Sequence, residues 1–292
     1  MKIQFLFVGH KEESSGYHNI FHAHVAPIIK HFLPSDEVIF YPEIRDGYTT
    51  ITLGRAVADI FIHHGISDKN WRDAKNMDGA KYVFVPGPAW VEKLTGQGMD
   101  EKRIRIVGYP LLDPIFERSI PGDSNIVLWA PTHANSPTTY PHLREPLMES
   151  CKKLGLEFIE SPHPHHGVSG DSTQEIIARS AVVVADSGSS IYEAWAMGVP
   201  VVIPDYAIKR GMKDIDVAKE WPGSFESIIY SEKIGHHVYR EEDLTATIQL
   251  AISEGVTQKA RDFMDGIFPV NLRGNSGLLA ANTIREIAED RK

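Results

Sequence analysis

A single cysteine, Cys151, stands among the 292 residues, which excludes an internal disulfide framework and a cysteine-based zinc site. It falls in a helical pattern ahead of Lys152-Lys153, a structural place rather than a nucleophile's. Long apolar runs are missing too: nothing approaches the roughly 18 consecutive apolar residues that a membrane-spanning helix needs. The opening stretch MKIQFLFVGHKEES turns polar too soon for a secretory signal and reads as a first buried strand. A cytoplasmic protein with no integral membrane segment is expected. Excess positive charge is absent as well, and a net charge of −9 gives no electrostatic footprint for general nucleic-acid binding beyond a local basic groove. No Walker loop, G-x-S-x-G elbow or complete G-x-G-x-x-G fingerprint occurs, so P-loop ATPase, hydrolase and dehydrogenase chemistry lose their usual support.

What is present is an ordinary globular composition, 42% apolar and 24% charged, long enough for two domains of roughly 120 to 150 residues. Apolar runs at Ile3 to Val8, Val38 to Tyr41, Ala56 to Ile62, Lys81 to Val85 and Arg103 to Val107 read as strands. Helical spacing at Ile20 to Phe32, kinked or restarted at Pro27, and at Ala89 to Gln97 separates them. A polar stretch with a Pro-Gly pair, Glu117 to Ser124, reads as a linker. The pattern then restarts with strands at Ile126 to Ala130, Leu156 to Glu160, Val182 to Ala185 and Val199 to Pro204. Helices are expected at Leu143 to Leu154, Gln174 to Arg179, Asp243 to Glu254 and Gly277 to Asp290, with Ser227 to Tyr230 as a short strand. Strands alternating with helices argue for parallel sheets. The expected architecture is α/β, two facing Rossmann-like domains, 1–118 and 119–292, with a cleft between them and the last helix crossing back to the first.

Many of the 14 histidines fall at the ends of apolar runs, where open α/β sheets bind their ligands. His64-Gly65 ends one strand. Its imidazole suits a general base toward a hydroxyl, and Lys69 nearby suits a phosphate; the structural alternative is a histidine bonded to a carbonyl and a solvated lysine. His63 alternates with His64 and is the weaker candidate. Thr132, His133 and His163 follow strands of the second half and offer neutral donors for a diphosphate. A metal reading of His163, His165 and His166 lacks the carboxylates and separated ligands such a site needs, so no metal is expected. The turn Asp186 to Ser190, between a β-branched strand and a helix, pairs a glycine with free amides at a helix start, which favours phosphate; a plainly capped helix is the alternative. Glu193 is placed to meet a ribose hydroxyl or to be solvated. Asp214-Ile215-Asp216 has D-x-D spacing but reads as a solvated pair.

Jointly these pieces resemble the CDP-glycerol glycerophosphotransferase family, teichoic-acid-type transferases of the GT-B fold. HGISDK at 64–69 is similar to the family's His-Gly-x-x-x-Lys, VGYPLLD at 107–113 to Gly-x-Pro-x-x-Asp, and LWAPTH at 128–133 carries Ala-Pro-Thr. A His163-Pro164 pair and DSGSSIYE at 186–193 follow in the family's order, with Gly188 in place of a serine and Glu193 in place of an aspartate. The resemblance implies a nucleotide diphosphate donor of the CDP or UDP type and transfer of a glycerol-phosphate or glycosyl group to an acceptor hydroxyl, with no cofactor and no essential metal. His64 would be the base, and Gly65, Lys69 and Asp186 would support it. Thr132, His133, His163, Gly188, Ser189, Ser190 and Glu193 would hold the donor. The acceptor is left as a saccharide, a polyol phosphate or a modified nucleic-acid base reached through Lys209, Arg210 and Lys213. The DSGSS turn is also similar to UDP-N-acetylglucosamine 2-epimerases, so an isomerase and a non-catalytic nucleotide-binding module stand as alternatives.

Overall fold

The computed structural model describes residues 1–6, 25–41, 43–52, 57–63, 65–69, 73–117, 124–132, 136–161 and 172–290. The chain divides into two compact units. The first comprises Met1–Gly65, Trp71–Glu117 and Asp265–Lys292, and the second Ile66–Asn70 and Arg118–Met264.

The first unit is built on a six-stranded sheet in the order β2-β1-β3-β4-β5-β6: β1 Lys2–Leu6, β2 Glu37–Tyr41, β3 Thr49–Thr52, β4 Ala58–Ile62, β5 Ala80–Val85 and β6 Ile104–Ile106. Every pairing is parallel. β3 is a strand that apolar patterning does not reveal. Its Thr-Thr-Ile-Thr run is polar by composition, yet all four residues are buried because the strand lies between β1 and β4; β-branched side chains fit that place. α1, Ala26–His31, carries Pro27 in its first turn, where a missing N–H costs nothing. It covers less than the helix expected over 20–32, of which 20–24 lie outside the described residues. α2 is Pro88–Gly96 and α3 Asp113–Phe116.

The C-terminal helix Ser276–Glu289 also belongs to the first unit. Ala280, Ala281, Ile284 and Ile287 recur at helical spacing and join Ile3, Phe5, Ile29, Ile60 and Phe84 in one buried cluster. Its N-terminus is fixed by Asp113, whose Oδ2 accepts a hydrogen bond of 2.6 Å from the Gly277 N–H. Gly277 has to be glycine: a Cβ there would lie 2.8 Å from Ile28 Cγ2.

The second unit repeats the theme with five parallel strands in the order β13-β10-β9-β7-β8: β7 Ile126–Ala130, β8 Glu157–Glu160, β9 Val182–Ala185, β10 Val201–Ile203 and β13 His236–His237. Between them lie α4 Arg144–Leu154, α5 Thr173–Ala178, α6 Ser189–Ala196 and a hairpin of β11 Lys209–Arg210 with β12 Lys213–Asp214. α7 Val217–Glu220, α8 Phe225–Ser231, α9 Leu244–Glu254 and α10 Gln258–Ile267 follow the hairpin. Val127, Trp129, Val182, Val184 and Val202 of the sheet share a buried cluster with Leu147 of α4 and Leu244 and Ile248 of α9.

The strand expected at Ser227 to Tyr230 is instead part of helix α8. Ser224 caps it by accepting from the Ser227 N–H at 3.0 Å, and a three-residue apolar run cannot by itself separate a strand from a buried helix turn. No helix among the described residues is long and apolar enough to cross a membrane.

Burial raises the pKa of the Asp113 carboxyl to about 6, against the opposing hydrogen bonds from Gly277 and Ser276. A raised carboxyl stabilises the fold in its protonated form, and that contribution fades as pH rises from about 4 through 6. Asp113→Asn mimics the protonated state. Measured by denaturant unfolding, its stability relative to wild type should shift in the variant's favour by up to about 3 kcal/mol between pH 4 and pH 7.

Candidate functional site

In the second sheet the chain runs from β7 outward to β8 and returns to the other side of β7 as β9. Such a reversal of strand order opens a crevice beyond the carboxyl ends of the two neighbours, the usual ligand site of an open parallel sheet. The loops at this point are Pro131-Thr132 after β7 and Asp186-Ser187-Gly188 after β9. They are joined by the Asp186 carboxylate, which has no exposure. Its Oδ1 accepts from the N–H of Thr132 at 2.9 Å and of Ser187 at 2.7 Å. Its Oδ2 accepts from the N–H of Thr139 at 2.7 Å and from the hydroxyls of Thr139 and Thr138 at 2.8 and 3.2 Å. The Tyr230 hydroxyl donates to its carbonyl oxygen. Burial pushes this carboxyl above its ordinary pKa despite those donors. With both oxygens occupied, Asp186 shapes the turn and has no lone pair left for a substrate.

Gly188 ends the turn at φ 100°, ψ −173° and stands at the N-cap of α6. That conformation belongs almost entirely to glycine. The absent side chain faces a cation, since a Cβ at Gly188 would lie 3.5 Å from Lys69 Nζ and 4.0 Å from Thr132 Oγ1. Lys69 itself donates to Thr132 Oγ1 at 3.1 Å, with its ammonium 5.3 Å from the centre of the Trp221 ring. The Ile66 N–H donates to Ser189 Oγ at 3.3 Å. An ammonium, two hydroxyls and the first amides of a helix thus converge on one turn, an arrangement that suits an anion.

Glu193 lies one turn further along α6, buried, with Oε2 accepting from Gln174 Nε2 at 3.1 Å. It is a held carboxylate rather than a solvated one. Ser190, half-buried, is the second residue of α6, and Gly65 is buried at the end of the first segment of the first unit. His64, His133 and His163 lie outside the described residues, as do His165 and His166. His63 is packed edge-on between Phe61 and Trp90, at 5.4 and 4.6 Å between ring centres. The basic stretch is partly neutralised: Lys209 pairs with Asp214 at 3.7 Å and Arg210 with Glu220. Asp216 of the D-x-D pair is engaged by Lys219 at 2.8 Å.

Sequence reading passed over Thr138, Thr139, Tyr230 and Gln174, and above all Asp68 and Glu226. The Asp68 N–H donates to both carboxylate oxygens of Glu226 at 3.0 Å, and Asp68 Oδ2 accepts from the Phe225 N–H at 3.0 Å. Both acids are fully buried. Asp68 had a signal, being the acidic residue inside HGISDK; Glu226 had none, since it sits in an ordinary capped helix.

No protein-family model matches this sequence, and no curated protein matches it. Solved structures do match. The wall teichoic acid polymerase TagF is 14% identical, with a TM-score of 0.63 over 99% of this chain and 89% of that one. The fold is GT-B-like. Two further structures have the same likeness: a putative UDP-N-acetylglucosamine 2-epimerase from Listeria monocytogenes, 14% identical over 99% of this chain and 97% of that one, TM-score 0.55, and the UDP-GlcNAc 2-epimerase of Neisseria meningitidis bound to UDP-GlcNAc, 12% identical over 98% and 100%, TM-score 0.55. At such identities the GT-B-like likeness concerns the fold alone.

Asp186→Ala leaves the buried N–H groups of Thr132, Ser187 and Thr139 without an acceptor and should cost about 3 to 5 kcal/mol in denaturant unfolding. Gly188→Ala should cost about 1 to 3 kcal/mol through its backbone conformation alone; a cost under half a kcal/mol would show that the turn is not held as described.

Proposed function

We propose that this protein is a GT-B-type transferase that moves a glycerol-phosphate or glycosyl group from a CDP- or UDP-activated donor to an acceptor hydroxyl. The observation that carries the reading is the meeting of Lys69, Thr132, Gly188 and Ser189 at the start of α6, beyond the carboxyl ends of β7 and β9. The donor's diphosphate lies in that turn, and Glu193, oriented by Gln174, accepts from the ribose hydroxyls. The acceptor oxygen bonds to the transferred centre as the bond to the nucleotide breaks. That centre is phosphorus for glycerol phosphate, with the nucleoside monophosphate leaving, or the anomeric carbon for a sugar, with the nucleoside diphosphate leaving. His64 takes the acceptor's proton. The Lys69 ammonium and the α6 amides stabilise the charge gained by the leaving nucleotide, the term that generally contributes most in such sites. His133 and His163 add donors to the diphosphate. No cofactor takes part, and the scheme requires no metal.

The acceptor belongs to the hydroxyl-bearing class named from the sequence: a saccharide, a polyol phosphate or a modified base. The protein works in the cytoplasm, where nucleotide-activated donors are made. Incubation with UDP-sugar alone separates this reading from a 2-epimerase, which converts the donor with no acceptor added.

CDP or UDP at millimolar concentration should raise the melting temperature, and Lys69→Ala should weaken nucleotide binding by tenfold or more, as expected for loss of a charge-assisted contact worth about 1.5 to 3 kcal/mol. His64→Ala should abolish transfer while nucleotide binding persists, and chelation with EDTA should leave the rate of transfer unchanged. Failure of both nucleotides to bind would overturn the reading.

A further inference from the structure

Among the described residues Trp90, Trp129 and Trp195 are buried, whereas Trp221 is only half-buried. It follows α7 and opens the turn Trp221-Pro222-Gly223-Ser224. The Ser224 N–H donates to the Trp221 carbonyl at 3.0 Å, and Gly223 stands at φ 77°; proline second and a glycine of positive φ third are the marks of a type II turn. Ser224 then caps α8, and the N–H of Phe225, the first residue of α8, donates to Asp68 Oδ2 at 3.0 Å. Residues 66–70 belong by their contacts to the same unit as this turn. Trp221 and Lys69 are thus held together through the turn, the start of α8 and Asp68. The result is that the Lys69 ammonium stands 5.3 Å from the centre of the indole ring while donating to Thr132 Oγ1 at 3.1 Å, beside Gly188. A large half-buried aromatic ring therefore borders the anion turn.

We propose that Trp221 is a specificity-determining residue of the donor site, a flat face against which the transferred group packs, and that this group is a glycosyl ring. The proposal rests on the donor-binding reading above, which puts the diphosphate at Lys69 and Gly188 and gives the ribose to Glu193. A phosphate oxygen bonded to the Lys69 ammonium brings the groups next to it within reach of the indole. The ribose end is already assigned, so what remains for Trp221 is the substituent on the distal phosphate. The two candidate substituents differ in shape. Glycerol is an open chain with a hydroxyl on every carbon not bonded to the phosphate, and it has no face to lay on a ring. A pyranose has one: its axial C–H bonds form an apolar patch of slight positive charge, which meets the negative face of an indole by the same attraction that draws an ammonium. Lys69 and Trp221 then act as one surface, the cation for the phosphate and the ring for the sugar attached to it.

The test measures Kd by titration calorimetry for UDP, UDP-glucose, UDP-N-acetylglucosamine, CDP and CDP-glycerol, using the full chain and its Trp221→Leu and Trp221→Phe variants. At least one of the UDP-sugars should lose about tenfold in affinity on Trp221→Leu, the effect of one aromatic contact removed. UDP and CDP alone should change by less than about twofold, and CDP-glycerol should follow CDP. Trp221→Phe keeps an aromatic face and should restore most of the lost sugar affinity, which a general effect on folding would not do. If UDP loses as much as the UDP-sugars, the ring serves only to steady Lys69 and the proposal is overturned. It is equally overturned if CDP-glycerol weakens as the sugars do, if the sugars bind all three proteins alike, or if neither UDP-sugar binds where UDP does. If neither UDP nor CDP binds wild type, it is the donor-binding reading that fails, and the proposal falls with it.

Discussion

The second unit depends on one buried carboxylate. Asp186 has no contact with water, and a carboxylate removed from water is very costly unless every lone pair is used. It collects donors from three neighbouring residues in space, Thr132, Ser187 and Thr139, and from the hydroxyl of Thr138. The loops after β7 and β9 are therefore fixed to each other and to the chain leading into α4. The geometry of the turn proposed to hold the diphosphate follows. Thr132 is placed for the Lys69 ammonium, and Gly188 is left to complete the start of α6.

Around this point the charges are matched in layers. Asp186 organises backbone, Lys69 supplies the cation, and Asp68 with Glu226 fasten the segment that carries the lysine. Glu193 and Gln174 lie one helical turn away. The result is a turn rich in donors inside a protein of net charge −9. A site of this kind recruits a phosphate through a few aimed groups and the helix start, with no need for a basic surface.

The parts of this arrangement that were legible in sequence share a cause. β7, β9 and α6 are continuous apolar patterns with turn residues at their ends, so both their type and the loop between them could be read. The segment 227–230 was misread because three apolar residues do not distinguish periods of 2 and 3.6, and β3 was missed because threonine burial is invisible to an apolar count. Asp186 is read from sequence as a supporting residue of the turn; its partners give the physical reason, since five donors leave no lone pair for chemistry.

The sequence by itself determined the class of the protein: alternating strands and helices in two halves, a glycine-serine turn at a helix start, and histidine- and lysine-bearing loops at strand ends. Those follow from local periodicity and from the residue types that turns demand. Tertiary structure alone decided the assignment of 66–70 to the second unit, the pairing of Asp68 with Glu226 across 158 positions, and the bond from the Gly277 N–H to Asp113 that holds the start of the C-terminal helix. Each of these is a contact between residues far apart in the chain, set by burial and by the need to satisfy buried polar groups, and no local pattern encodes which distant partner will meet that need.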